Sequence, residues 1–330
     1  MKIAVTGAAG FIGSHLAENF LRGDHEVLGL DNLSTGLEEF LAPSLKFPKF
    51  RFEKLELLES DQVHRVLKFF APALVLHLAA NADVRRGLEH PRKDLEQGTL
   101  VTFNVLEGAR AAGVSRFGYT STGSVYGEPQ IFPTPENCPF PVQTSLYAAS
   151  KLAGEALIQA YCEGYKMQGC IFRFVSILGE RYTHGHVLDF IRKLKINPKQ
   201  IEVLGNGKQR KAYLDVSDCV AAIQTILSKT SERVAIYNVG PDEYLNVDQS
   251  LDVLCKIMRV SPRRAYSGGE RGWIGDSPFI FLDCQKLRGL GWRPRLSIVE
   301  SVERTARFLL ANEWLVKLIE ARETEARDKT

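Results

Sequence analysis

Lys2-Ile3-Ala4-Val5-Thr6 runs directly into Gly7-Ala8-Ala9-Gly10-Phe11-Ile12-Gly13, and Glu26-Val27-Leu28-Gly29-Leu30-Asp31 follows a dozen residues later. The first five residues read as a short apolar strand. Residues 14–22 read as a helix, with Ile12, Leu16, Phe20 and Leu21 on an apolar face. Gly23-Asp24 ends that helix, and residues 26–30 form a second strand closing on an acid. Glycines at a strand-to-helix turn let the backbone approach a pyrophosphate, which then sits on the helix N-terminus. The spacing is G-x-x-G-x-x-G. Asp31 lies where a carboxylate takes the adenosine ribose hydroxyls of a dinucleotide. It would repel a 2′-phosphate, and no Arg or Lys stands beside it. The turn is therefore expected to bind NAD rather than NADP.

Alternation continues outward. Strands are expected at 50–55, 73–77, 117–120 and 170–174, with helices at 63–70, 91–112 and from Tyr147 onward. A loop with five prolines spans 128–143. Strands alternating with helices make a doubly wound parallel α/β sheet of Rossmann type, whose site lies at the carboxyl ends of the strands. Gly7, Asp31, Leu78, Ser121 and Ser176 all fall just beyond strand ends. After Phe174 the pattern loosens. Residues 1–175, with returning segments near 212–240, are expected to form the NAD-binding domain. Residues 176–211 and 241–330 are expected to form a smaller C-terminal substrate-binding lobe.

Composition excludes several classes. The chain has 330 residues, a net charge of +3 and no long Lys/Arg block, which gives no case for nucleic acid or a membrane surface. No apolar run is long enough to span a bilayer. The six cysteines are scattered without a Cys-x-x-Cys pair, as for free thiols in a reducing cytoplasm. Tyr182-Thr183-His184-Gly185-His186 offers two histidines without a third ligand, so no metal is expected.

Tyr147 and Lys151 share one helix face at i, i+4. A nearby cation favours a phenolate, so this pair is expected to make an acidic tyrosine able to act as a general base. It is the only Tyr with Lys four places on in the chain.

With these pieces in order, the chain resembles the extended short-chain dehydrogenase/reductase family, and within it the NAD-dependent nucleotide-sugar epimerases of UDP-glucose 4-epimerase type. The matching segments are Gly7-x-x-Gly10-x-x-Gly13, Asp31-Asn32-Leu33-Ser34-Thr35-Gly36, His77-Leu78-Ala79-Ala80, Ser121-Thr122-x-x-Val125-Tyr126-Gly127, Tyr147-x-x-x-Lys151 and Arg173-Phe174, followed by Gly205-Asn206-Gly207-Lys208-Gln209, Val216-x-Asp218, Arg271 and Leu290-Gly291-Trp292. The resemblance implies Tyr147, Lys151 and Thr122 as catalytic residues working through a transient 4-keto sugar. It implies NAD held by Gly7, Gly10, Phe11, Ile12, Gly13, Asp31, Asn32, Ser34, Thr35, Gly36, Glu56, Leu57, Leu78, Ala79, Ala80, Thr120, Tyr147, Lys151 and Phe174. It implies a nucleotide-sugar substrate, a UDP-glucose/UDP-galactose or UDP-N-acetylhexosamine type, near Thr122, Ser176, His186, Arg210, Lys211, Arg271 and Asp276. A homodimer through helices near 94–112 and 145–163 is implied too, with Leu100, Phe103, Val105, Leu152, Leu157 and Tyr161 as candidate surface.

The chain departs from the family pattern at several places. Gly123-Ser124 stand where 4,6-dehydratases carry Asp-Glu, and Ser124 where glucuronate decarboxylases carry Glu. Lys211-Ala212 replace a usual Arg-Asp, Ser176 and Gly98 replace usual asparagines, and Ile280 stands where a bulkier Tyr excludes N-acetyl groups. Two rivals remain beside the epimerase: a same-fold oxidoreductase, reductase or dehydratase releasing a keto or deoxy product, and a non-catalytic NAD-binding sensor or scaffold.

Overall fold

The computed structural model describes residues 1–81, 87, 89–140, 142–272 and 279–328, the side chains of 325–328 excepted. The first half alternates as its sequence pattern demands. β1 (Lys2–Thr6), α1 (Phe11–Arg22), β2 (Glu26–Asp31), β3 (Phe50–Lys54), α2 (Ser60–Phe70) and β4 (Leu74–His77) lead to α3 (Pro91–Asp94). A π turn, Leu95–Leu100, joins α3 to α4 (Val101–Ala111), and β5 (Arg116–Thr122), α5 (Leu146–Tyr165) and β6 (Gln168–Phe174) follow. The expected single helix over 91–112 is thus interrupted. At its centre a Cβ on Gly98 would stand 2.2 Å from Ser150 Oγ, so the turn lies directly against α5.

Beyond β6 come β7 (Ser176–Leu178), α6 (His186–Ile196), β8 (Gln200–Val203), β9 (Arg210–Lys211), β10 (Tyr213–Asp215), α7 (Val216–Lys229) and β11 (Val234–Val239). They are followed by β12 (Leu245–Asn246), α8 (Val247–Met258), β13 (Arg263–Tyr266), β14 (Phe279–Ile280), α9 (Gln285–Gly289), α10 (Ile298–Ala311) and α11 (Glu313–Asp328). The main sheet is parallel throughout, in the order β11-β6-β5-β4-β1-β2-β3. The chain reverses direction across the sheet between β1 and β4, which opens a crevice at their carboxyl ends. β1, β4 and β5 are buried on both faces, as a sheet covered by helices on each side requires. A second apolar core forms beside it from Val187, Leu188, Leu251, Leu254, Val302 and Leu315, and Phe11 and Leu37 reach into it from the glycine-turn side. Capping boxes at Asn246/Gln249 and Ser297/Glu300 start α8 and α10.

All six cysteines are buried free thiols. No described helix is long and apolar enough to cross a membrane. Of the residues offered for a dimer surface, Leu100 and Phe103 are exposed, Leu152 and Leu157 are half-buried, and Val105 and Tyr161 are core residues instead.

One buried ion pair ties α5 to the sheet. Arg173 meets Glu155 through two bonds, Nε to Oε1 at 2.9 Å and Nη2 to Oε2 at 2.6 Å, with both side chains essentially inaccessible. Its remaining nitrogen donates to Tyr126 Oη (2.7 Å) and the Glu136 carbonyl (2.9 Å), and Ser121 Oγ donates to Glu155 Oε1 at 2.5 Å. Removing one partner leaves a buried charge unanswered. Glu155→Ala is expected to cost about 3–5 kcal/mol in denaturant unfolding, and the double replacement Glu155→Leu/Arg173→Leu to recover much of that loss. A single variant as stable as the parent would refute the assignment.

Candidate functional site

The site grows from the crevice. Gly7 sits at φ +69°, and a Cβ there would meet Ala79 N at 2.9 Å, so the glycine turn and the end of β4 touch. A Cβ on Gly13 would lie 2.0 Å from Gly7 O, which makes α1 start hard against β1. No side chain caps α1, so the first-turn N–H groups of Phe11, Ile12 and Gly13 face the crevice as an anion site. Thr6 Oγ1 accepts from Leu78 N (3.1 Å) and Ala79 N (3.2 Å) and pairs with His77 Nδ1 at 2.7 Å. The other ring nitrogen of His77 pairs with Thr102 Oγ1 (3.1 Å), and burial pushes this histidine down to about 3, so it is a neutral tie between β1, β4 and α4.

Asp31 ends β2 with its carboxylate buried. It accepts from Ala9 N (3.0 Å) and Leu33 N (2.8 Å), and burial raises its pKa. Asn32, on the same loop, donates to Glu56 Oε2 at 2.7 Å, while Ser34 and Thr35 are exposed. Gly36 folds back until a Cβ would touch Asp31 Oδ1 at 2.9 Å. Thus Gly7 to Gly13, Asp31 to Gly36, Glu56, and Leu78 to Ala80 line one continuous edge of the crevice. Thr120 and Phe174 close the neighbouring strand ends and are nearly buried.

At the end of β5, Thr122 caps a short 3₁₀ turn, accepting from Ser124 N at 3.1 Å and donating to Ser124 Oγ at 3.2 Å. α5 begins with Ser145 as N-cap, which accepts from Ala148 N at 3.1 Å and fixes Tyr147 in the first turn. Lys151 Nζ donates to Thr120 O at 2.8 Å and stands 4.7 Å from the Tyr119 ring centre and 6.0 Å from that of Tyr147. Among the described residues one of its three donors is taken. Lys151 is only 3% exposed; burial pushes it down to about 7, against the opposing charge of Glu155. Tyr147 is pushed up to about 12 by burial first and by the Asp94 charge second. The expectation of an acidic tyrosine is therefore not met in the chain alone. Burial drives both partners toward their neutral forms.

Residues 3–240 match the model of the NAD dependent epimerase/dehydratase family. The chain belongs to that family. The UDP-glucose 4-epimerase of Mycolicibacterium smegmatis is 30% identical over 318 residues, covering 93% of this chain and 98% of that one. The crystal structure of the Thermus thermophilus UDP-glucose 4-epimerase complexed with NAD superposes with a TM-score of 0.83 at 32% identity, covering 94% and 99%. A dTDP-glucose 4,6-dehydratase from Streptomyces venezuelae with NAD bound reaches a TM-score of 0.87 at 26% identity, covering 97% and 100%. The close glycine turn, the uncapped helix start, the carboxylate at Asp31 and the free donors of Lys151 fit the cofactor of this family.

The residues offered for substrate are less gathered. His186 starts α6, pairs with Ser250 Oγ at 2.7 Å and stacks on Tyr213. Burial, helped by the Lys211 charge, pushes it down to about 4. Lys211 is half-buried on that side. Arg210 is its strand neighbour, points the other way and lies 3.9 Å from the Phe279 ring centre and 5.4 Å from that of Tyr244. Strand alternation separates the two. Arg271 is exposed and paired with Glu128, and Ser176 is exposed. Asp276 lies outside the described residues. No group of described residues could hold a metal ion.

Two expectations follow. Gly13→Ala should abolish retention of NAD, measured as cofactor content after gel filtration. In cofactor-free protein, Lys151 binds a proton more weakly folded than unfolded. Its contribution therefore makes stability rise as pH climbs from about 7 toward the ordinary lysine range, and Lys151→Met should remove that component from a set of melts at different pH.

Proposed function

We propose that this protein is an NAD-dependent nucleotide-sugar 4-epimerase, with a UDP-hexose or UDP-N-acetylhexosamine as substrate. The observation that carries this reading is Lys151 bonded to Thr120 O near the carboxyl end of β5, with the Tyr147 ring centre 6.0 Å from its Nζ, and Gly123 and Ser124 rather than carboxylates after Thr122. NAD supplies a hydride acceptor and donor at the substrate's C4. The chain's own residues do the rest. Tyr147 takes the proton from the C4 hydroxyl and returns it. Thr122 hydrogen-bonds the reacting oxygen. Lys151 holds the nicotinamide ribose with its free donors. Asp31 binds the adenosine ribose, and the start of α1 takes the pyrophosphate. Lys211 and His186 face the substrate diphosphate, with Arg271 released from Glu128 to join them. Asp31 and the absence of an acid pair after Thr122 favour this reading over a reductase or a dehydratase. Two copies pair through the Leu95–Leu100 turn, α4 and α5, using exposed Leu100 and Phe103; sedimentation at the single-chain mass of 36.9 kDa would end this assignment.

Purified protein without added cofactor should convert one of UDP-glucose, UDP-N-acetylglucosamine, UDP-glucuronate, dTDP-glucose, GDP-mannose or CDP-glucose into its C4 epimer, with no net rise at the NADH band. Steady NADH release, or a keto or deoxy product, would instead identify the oxidoreductase or dehydratase. No turnover of any donor by protein that retains NAD would point to the scaffold. Tyr147→Phe should lower turnover roughly 10²–10⁴-fold while NAD stays bound.

A further inference from the structure

The resting site contains a carboxylate that neither the motif nor the proposed chemistry uses. Asp94 ends α3 and is 1% exposed. Its Oδ1 accepts from Asn81 Nδ2 at 2.9 Å, while its Oδ2 is buried without a partner. Among the described residues no cation pairs with it. Buried acceptors left unbonded are few and need a reason.

Its location supplies one. The β4-to-β5 and β5-to-β6 crossovers join adjacent parallel strands, so their helices run parallel to each other. Gly98 rests against Ser150 of α5. Asp94 lies one turn before Gly98, and Tyr147 lies one turn before Ser150. The shared contact therefore sets the Asp94 turn beside the Tyr147 turn, and the Asp94 charge is felt at the Tyr147 phenol. Asn81 continues the segment after β4, so Asp94 ties that segment to the turn beside Tyr147.

We propose that Asp94 is a positioning residue for the Tyr147 proton: its buried, unanswered negative charge holds that proton on the phenol oxygen until positive charge enters the site. The other groups around the phenol do not substitute for it. Lys151, on the same helix, has its hold on a proton weakened by burial, to about 7. Tyr119, from β5, is a neutral phenol flanking Lys151 on its other side, and His77 from β4 stacks on Tyr119 as a neutral ring. Glu155, two turns along α5, is answered by Arg173. Asp94 thus sets a threshold that keeps the base unready in the empty site. This inference rests on Tyr147 being the acid/base of the reaction.

The test follows the Tyr147 proton directly, in protein carrying its NAD. Tyrosinate absorbance is titrated in wild type and in Asp94→Asn, each corrected by the matching Tyr147→Phe protein, and the pH profile of kcat/KM is measured in parallel. Neutralising Asp94 should move both the Tyr147 midpoint and the acid limb of kcat/KM to lower pH by roughly one unit. Asp94→Glu, which keeps the charge, should remain near wild type. Coincident midpoints in Asp94→Asn and wild type overturn the proposal, as does a fall in kcat with an unmoved profile, which would mark a packing role only. Asp94→Ser makes the same measurement should Asp94→Asn not fold. Undiminished turnover in Tyr147→Phe would refute the acid/base reading instead, and the absorbance titration would still report on Asp94.

Discussion

The contact of Gly7 with Gly13 on one side and Ala79 on the other is the constraint around which the rest of the structure is arranged. The φ of Gly7 is positive and a Cβ on it would meet Ala79 N at 2.9 Å, while a Cβ on Gly13 would lie 2.0 Å from Gly7 O. Strand order reverses at that point, so β1 and β4 part company only after their ends have met. Thr6 and His77 lock the same junction from below through uncharged hydrogen bonds, which cost no ion desolvation in a fully buried place.

Electrostatics then divide the molecule into a structural and a reactive layer. Arg173 and Glu155 carry the full charges, buried but satisfied by one another, by Ser121 and by Tyr126. One turn nearer the crevice, Lys151 has lost most of its preference for a proton and Tyr147 has gained one. Tyr147, Lys151 and Glu155 lie on one stripe of α5, so the helix passes from an exchangeable site to a fixed anchor over two turns.

Much of this was legible in the chain. Strand-glycine-helix order and the alternation of strands with helices foretold the doubly wound parallel sheet and put Asp31 at the tip of the second strand, because those features are local. Three things were not local. The π turn at Leu95–Leu100 reads as ordinary helix, and only the position of Ser150 on α5 shows why Gly98 is there. Arg210 and Lys211 look interchangeable as adjacent cations, but strand pleating sends one to Phe279 and Tyr244 and leaves the other with His186. The acidity of Tyr147 depends on burial and on Asp94, more than fifty residues away in sequence, and not on i, i+4 spacing alone. Glu155 carried a faint signal, four places after Lys151 on the same face, and Asp94 carried none.

Several of the departures from the family pattern lie away from the glycine turn, and that has a physical meaning. The dinucleotide edge keeps its glycines, its acid and its uncapped helix, all of which are set by backbone geometry that tolerates little change. The opposite side carries Lys211-Ala212, an exposed Ser176 and an arginine engaged with Glu128. A lysine holds an anion as a point charge, whereas the two-pronged arginine also fixes its orientation. Ile280 packs on Gly123, where a Cβ would meet its Cγ2 at 3.2 Å, which sets it against the turn that follows Thr122.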